Sequence, residues 1–265
     1  MILLNQKPIL CNKFPDGTFA TRINGEDVFY DSLIEWRYES EEEMSLLYYL
    51  VKYLKGINGL GDISLLLPYI PNARMDRVKN EDEIFTLKYF CEFINSLGFS
   101  EVIVRDPHSN VSVALLNNVT VETAEQYLGK VIDQINDEHL LMYYPDEGAM
   151  KRYSELVAMP YTFGVKRRDW RTGDILGITL INEEAVADRN ILIVDDICSK
   201  GGTFYHSAKA LKAAGAKDIY LYVTHCENTI FKGELINSDL IKHIYTTPSI
   251  FTLAHEKITV LKLDD

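Results

Sequence analysis

One stretch constrains this chain more than any other: Ile193-Val-Asp-Asp-Ile-Cys-Ser-Lys-Gly-Gly202, closed by Thr203. Residues 191–194 form a short, uncharged run rich in β-branched side chains, the pattern of a strand buried on both faces in a parallel sheet. Asp195 and Asp196 end that run. A small polar loop, Ser199 to Thr203, then opens a helix over 203–214 that stops at Gly215. Free backbone N–H groups at a helix N-terminus bind anions, and carboxylates at the carboxyl end of a strand lie where open α/β sheets hold ligands. An acid pair beside a phosphate cradle points to a sugar phosphate, with hydroxyls and a metal held by the aspartates. Alone, the segment also fits an ordinary strand–loop–helix turn. A phospho-acceptor receiver domain would need most of its length after such an acid pair, and only about seventy residues remain.

Strand-like and helix-like stretches alternate along the chain. Residues 63–67 read as a strand, 84–97 as a helix ending at Gly98, and 102–104 as a strand. Further on, 140–144, 191–194 and 219–223 read as strands, with helices over 149–157 and 203–214. That alternation predicts an α/β fold with mainly parallel sheets flanked by helices and joined by right-handed crossovers. A polar stretch at 129–138 predicts a join between two halves, 1–133 and 134–265.

The net charge of −12 argues against nucleic-acid binding, which needs basic surface to displace counterions. Anionic small substrates remain compatible, because basic residues cluster at Arg74 and Arg77 and again from Lys166 to Arg171. Glu39, Glu41, Glu42 and Glu43 read as a solvated helix start. No apolar run approaches the ~18 residues of a membrane span, and Met-Ile-Leu-Leu-Asn at the N-terminus lacks the features of a signal peptide. Cys11, Cys91, Cys198 and Cys226 have no metal-ligand spacing and read as free thiols of a cytoplasmic protein. Trp36 and Trp170 belong to no motif.

Several segments, in order, resemble the ribose-phosphate diphosphokinases, also called phosphoribosyl-diphosphate synthetases. Phe14-Pro-Asp-Gly-Thr18 resembles the family's Phe-Ser-Asp-Gly-Glu loop, and Pro71-Asn-Ala-Arg-Met-Asp-Arg77 its Pro-Tyr-Ala-Arg-Gln-Asp-Arg segment. Val104-Arg-Asp-Pro-His108 resembles its strand ending in Asp-Leu-His, and Tyr144-Pro-Asp-Glu-Gly148 its Ser-Pro-Asp-x-Gly-Gly turn. Val165-Lys-Arg-Arg168 is similar to its Asp-Lys-Arg-Arg loop, and Val223-Thr-His225 to its Ala-Thr-His strand end. The resemblance implies two tandem halves of phosphoribosyltransferase-like fold, 1–133 with the ATP-binding elements and 134–265 with the ribose-phosphate loop and the catalytic loop. It implies transfer of the β,γ-diphosphate of ATP to the C1 hydroxyl of ribose 5-phosphate, with Mg²⁺ and release of AMP.

On the same resemblance, Lys166 and Arg168 are the cations of a mobile catalytic loop. Asp195 and Asp196 take the ribose hydroxyls, and Ser199, Lys200, Gly201, Gly202 and Thr203 take the 5-phosphate. Arg74 and Arg77 contact ATP phosphates, and Asp146 contacts the diphosphate. His108, Asp146 and Asp195 are the metal-side groups. Phe14 and Asp16 reach the adenine of a neighbouring subunit, so a homo-oligomer with shared sites is expected. His225 is the weakest candidate, and a strand-end structural role fits it equally.

Three departures from the family pattern stand out. The family's phosphate loop reads Asp-Thr-Ala-Gly-Thr where this chain has Ser199-Lys-Gly-Gly-Thr203, a replacement expected to make the cradle more cationic. Met75 replaces a Gln. Thr18 replaces a Glu that would accept from the adenine amino group, which puts selectivity for adenine in doubt. A more cationic loop leaves open a larger acceptor, above all ADP-ribose, giving ADP-ribose 1-diphosphate for NAD synthesis. A type I phosphoribosyltransferase and a non-catalytic, synthetase-associated regulatory subunit are the remaining alternatives. The cations at 166–168 and the Arg74 element argue against the first, and those cations with the intact acid pair argue against the second.

Overall fold

A computed structural model of the chain describes residues 1–57, 59–168 and 175–263, with the backbone alone at 166–168 and 175–176. The chain divides into two compact units, Met1–Glu122 and Thr123–Asp265.

The first unit runs β1 (Ile2–Leu4), β2 (Lys7–Pro8), β3 (Leu10–Lys13), β4 (Phe19–Arg22), β5 (Ser32–Trp36), α1 (Glu43–Lys55), β6 (Ile63–Leu67), α2 (Thr86–Leu97), β7 (Glu101–Arg105), α3 (Asn110–Leu115) and β8 (Val119–Glu122). Six strands pair in the order β2-β1-β5-β6-β7-β8, and β3 with β4 forms a separate hairpin. The ladders from β5 through β8 are parallel, because a helix returns the chain between each pair. Those helices are amphipathic: α1 buries Leu46, Leu47, Leu50, Val51 and Leu54, and α2 buries Leu87, Phe90, Cys91, Ile94 and Leu97.

Glu43 departs from the reading of a solvated acidic run. Its carboxylate accepts from the Trp36 indole N–H at 2.9 Å and from the Glu39 backbone N–H at 2.9 Å, and it pairs with the chain's N-terminal ammonium. Trp36 itself is fully buried, with its ring 5.9 Å from that of Phe90. The start of α1 is thereby tied to the end of β5.

The second unit runs α4 (Glu125–Ile135), β9 (Leu141–Tyr144), α5 (Glu147–Tyr153), β10 (Tyr161–Arg168), β11 (Ile175–Leu180), β12 (Ile191–Cys198), α6 (Gly202–Ala213), β13 (Ile219–Cys226), β14 (His243–Thr246) and β15 (Ile258–Val260). Its sheet has the order β11-β10-β9-β12-β13-β14-β15. Every ladder is parallel except β10 with β11, which are successive antiparallel strands. Ile191 and Ile193 pack into one core layer and Leu192 and Val194 into the other, so β12 is covered on both faces. The division falls ahead of α4 rather than after it. Tyr127, Leu128 and Val131 of that helix pack with Leu140 and Met142, which assigns α4 to the second unit.

Trp36→Ala removes a fully buried indole and the hydrogen bond that orients Glu43. It should destabilise the first unit by about 3–5 kcal/mol, measured as a fall in the urea midpoint of a probe placed in that unit.

Candidate active site

Strand β9 stops at Tyr144, whereas β12 and β13 continue side by side to Cys198 and Cys226. Their ladder includes Asp195↔Val223, Ile197↔His225 and Cys198↔Cys226. Asp195 and Asp196 therefore lie within β12 instead of ending it, because β13 carries the ladder onward beyond the run of apolar residues. His225 sits in β13, buried at 2 % exposure.

The two aspartates have different surroundings. Asp196 is buried; its Oδ1 accepts from the Ile197 N–H at 2.8 Å and its Oδ2 from the Arg152 guanidinium at 3.1 Å. Asp195 is half-buried, and its Oδ1 accepts from the Asp196 N–H at 3.0 Å. Arg152 did not stand out in the sequence. It lies in the last turn of α5, the helix that follows β9, and only the adjacency of β9 to β12 brings it to the acid pair.

Beyond β12 the loop turns through Gly201, whose φ of +80° suits glycine, and α6 begins at Gly202 with no side-chain cap. A Cβ at Gly202 would meet nothing within 4 Å, so the helix start is open on that side. Lys200 is exposed and Thr203 half-buried. Ser199 differs from expectation. Its hydroxyl donates to Glu227 Oε2 at 2.8 Å, and the Thr229 hydroxyl donates to the same oxygen at 2.9 Å. The end of β13 thus returns a carboxylate to the loop that Ser199 had seemed to leave more cationic, and the charge argument for a larger acceptor loses its basis.

Asp146 caps α5, its Oδ1 accepting from the Ala149 N–H at 3.0 Å. That cap starts the helix at Glu147, ahead of the predicted 149–157, and the helix ends at Tyr153. Residues 166–168, read as part of a loop, are paired backbone in β10: Lys166 faces Ile178 and Arg168 faces Ile175, with an irregularity between Arg167 and Arg168. The side chains of Lys166 and Arg168, and residues 169–174, lie outside the described residues.

In the first unit, the Arg74–Arg77 segment follows β6 and His108 follows β7. These strands are parallel neighbours, so both elements belong to the carboxyl edge of one sheet. Arg74 is exposed; Arg77 pairs with Asp76 at 3.0 Å in a solvated contact worth little to stability. Asp106 is 5 % exposed and takes a φ of +39°, a conformation that aspartate tolerates better than most residues and that collects at functional strand ends. His108 is half-exposed beside it.

Phe14 and Asp16 sit at the tip of the β3–β4 hairpin. Phe14 is 56 % exposed, an apolar ring presented to solvent. Asp16 Oδ1 accepts from the Thr18 hydroxyl at 2.7 Å and from its backbone N–H at 3.0 Å, and these bonds hold the carboxyl below its ordinary value. Thr18 therefore supports Asp16 in place of reaching outward.

Among the described residues, no three His, Cys, Asp or Glu side chains converge as a ready-made metal cage. Mg²⁺ needs no such cage, since it keeps waters and binds through one or two carboxylates together with substrate phosphates. The half-buried Asp195 carboxylate next to an open helix start has the hard oxygen chemistry that this mode requires.

The model of the phosphoribosyl transferase domain matches residues 151–236, which include the acid pair, the loop and the end of β13. A ribose-phosphate pyrophosphokinase of Methanobrevibacter smithii is 27% identical over 226 residues, covering 80% of this chain and 76% of the relative. That of Mycoplasma pneumoniae is 29% identical over 266 residues, covering 90% and 75%. Along most of its length the chain is similar to these ribose-phosphate pyrophosphokinases. The fold agrees: the crystal structure of phosphoribosylpyrophosphate synthetase from Mycobacterium smegmatis superposes with a TM-score of 0.78 at 18% identity, over 96% of this chain and 85% of that one. No helix among the described residues is long and apolar enough to cross a membrane.

Arg152→Ala would remove the guanidinium that hydrogen-bonds the buried Asp196 carboxylate. Breaking such a pair costs about 3 kcal/mol or more, so the thermal midpoint of the second unit should fall. Arg152→Lys, which keeps the charge, should recover part of that loss in the same melt.

Proposed function

We propose that this chain transfers the β,γ-diphosphate of ATP to the C1 hydroxyl of ribose 5-phosphate with Mg²⁺, releasing AMP. The observation that carries the reading is the joint geometry at the end of β12: an exposed-side aspartate, an uncapped helix start and an open glycine, in one strand–loop–helix unit.

Asp195 takes the ribose 2- and 3-hydroxyls, and Asp196, neutralised by Arg152, holds the strand end that presents it. The 5-phosphate lies against the N–H groups at the start of α6, with the Thr203 hydroxyl and the Lys200 ammonium adding donors. Lys166 and Arg168 surround the transferring diphosphate, stabilising charge that develops as the C1 oxygen attacks the β-phosphorus and AMP leaves. Arg74 and Arg77 bind the phosphates of ATP. Asp146 contacts the diphosphate as well as capping α5. Mg²⁺ would neutralise phosphate charge; Asp146 and Asp195 in the second unit are candidates to hold it, and His108 is a separate candidate in the first unit. The exposed Phe14 ring and Asp16 at the hairpin tip suit contact with a second copy's adenine, which makes a homo-oligomer the working form. Four cysteines free of disulfides suit a reducing cytoplasm.

AMP release from Mg-ATP should require ribose 5-phosphate, with phosphoribosyl diphosphate as the second product by mass spectrometry. Release with ADP-ribose alone would reassign the acceptor, and release with neither would overturn the reading. Lys166→Ala and Arg168→Ala should each lower kcat by about 100-fold or more with little change in KM, as transition-state groups do. Asp195→Asn should raise the KM for ribose 5-phosphate; an unchanged KM would remove Asp195 from the ribose.

A further inference from the structure

We propose that Glu227 is the positioning residue of the phosphate loop, and that Ser199 serves Glu227 and not the phosphate. This deepens the reading of the loop as the 5-phosphate site and rests on it.

Hydrogen bonds link Ser199, Thr229 and Glu227 in one cluster. Glu227 Oε2 accepts from the Ser199 hydroxyl at 2.8 Å and from the Thr229 hydroxyl at 2.9 Å. The two hydroxyl oxygens are 3.2 Å apart, close enough for either to donate to the other. A phosphate oxygen is an acceptor and needs a donor. The Ser199 hydroxyl is engaged within this cluster, so recognition falls to the backbone N–H groups, Lys200 and Thr203.

The segment that carries Glu227 is built as a clamp. Its backbone extends the ladder, the Glu227 N–H donating to the Cys198 carbonyl at 2.8 Å. A 3-10 turn, Asn228–Lys232, follows, and Asn228 is tied to Thr252 by bonds of 2.7 and 3.2 Å. Ile230 and Leu235 are buried in the core behind it. The clamp also touches the loop backbone: a Cβ at Gly233 would lie 1.8 Å from the Lys200 carbonyl oxygen, and one at Gly201 would lie 2.8 Å from Leu235. Residues 199–201 are thus held from one side while the Gly202 side stays open. A loop held in its binding shape loses little further freedom when the anion arrives, which favours affinity.

The test compares Glu227→Ala, Glu227→Gln and Gly233→Ala with the wild-type chain. Glu227→Ala removes two charge-assisted hydrogen bonds, so the amides of 199–203 should exchange with deuterium about tenfold faster and the KM for ribose 5-phosphate should rise about tenfold. Its kcat at saturation should stay within about threefold, the split that marks positioning over chemistry. Glu227→Gln keeps an acceptor oxygen and should recover most of the exchange protection and of the KM. Gly233→Ala should reproduce the KM rise by displacing Lys200, and it stands in if Glu227→Ala does not fold. Exchange and KM within twofold of wild type in Glu227→Ala would overturn the proposal. So would Glu227→Gln as impaired as Glu227→Ala, because charge and not geometry would then be the cause. Exchange needs no ligand, so it decides the positioning role even if the wild-type chain fails to use ribose 5-phosphate, an outcome that counts against the function alone.

Discussion

The second unit depends on the parallel ladder between β12 and β13, which outruns the neighbouring strand β9. Where β9 covers it, β12 is apolar on both faces and locked between two core layers. Past Tyr144 the flank toward β9 opens, and there the chain places two acids and then the loop that opens α6. Polar chemistry is affordable at that point because backbone hydrogen bonding continues on the β13 side while the β9 side is released. The same extension of β13 brings Glu227 level with Ser199, so one ladder positions both the loop and the residue that restrains it.

Charge in this unit is arranged in pairs. Asp196 would be costly to bury alone, and Arg152 answers it from α5. Asp195 is the more exposed carboxylate of the two. Glu227 accepts from two hydroxyl donors beside the loop.

The first unit handles its functional edge differently. Its candidate groups stand on loops after β6 and β7, where Asp106 accepts an unfavourable backbone conformation and Arg74 remains exposed. The hairpin tip with Phe14 is exposed as well, and its shape comes from Asp16 and Thr18 bonding to each other.

By itself the sequence determined the α/β alternation, the β12–loop–α6 unit and the likeness to ribose-phosphate pyrophosphokinases, because each rests on local signals: buried-strand composition, glycine punctuation and short ordered motifs. It also marked Asp195 and the helix start as the place for a sugar phosphate. Only the tertiary structure decided how far β12 runs, since a strand's end depends on the partner beside it and not on its own hydropathy. Arg152 and Glu227 were illegible for the same reason. Each meets its partner across a strand pairing, 44 residues away for Arg152 with Asp196 and 28 for Ser199 with Glu227, and no spacing rule along the chain reports such a contact. Glu43 was misread as solvent-facing because a run of acids looks uniform in sequence, while the fold turned one of them inward to the buried indole of Trp36.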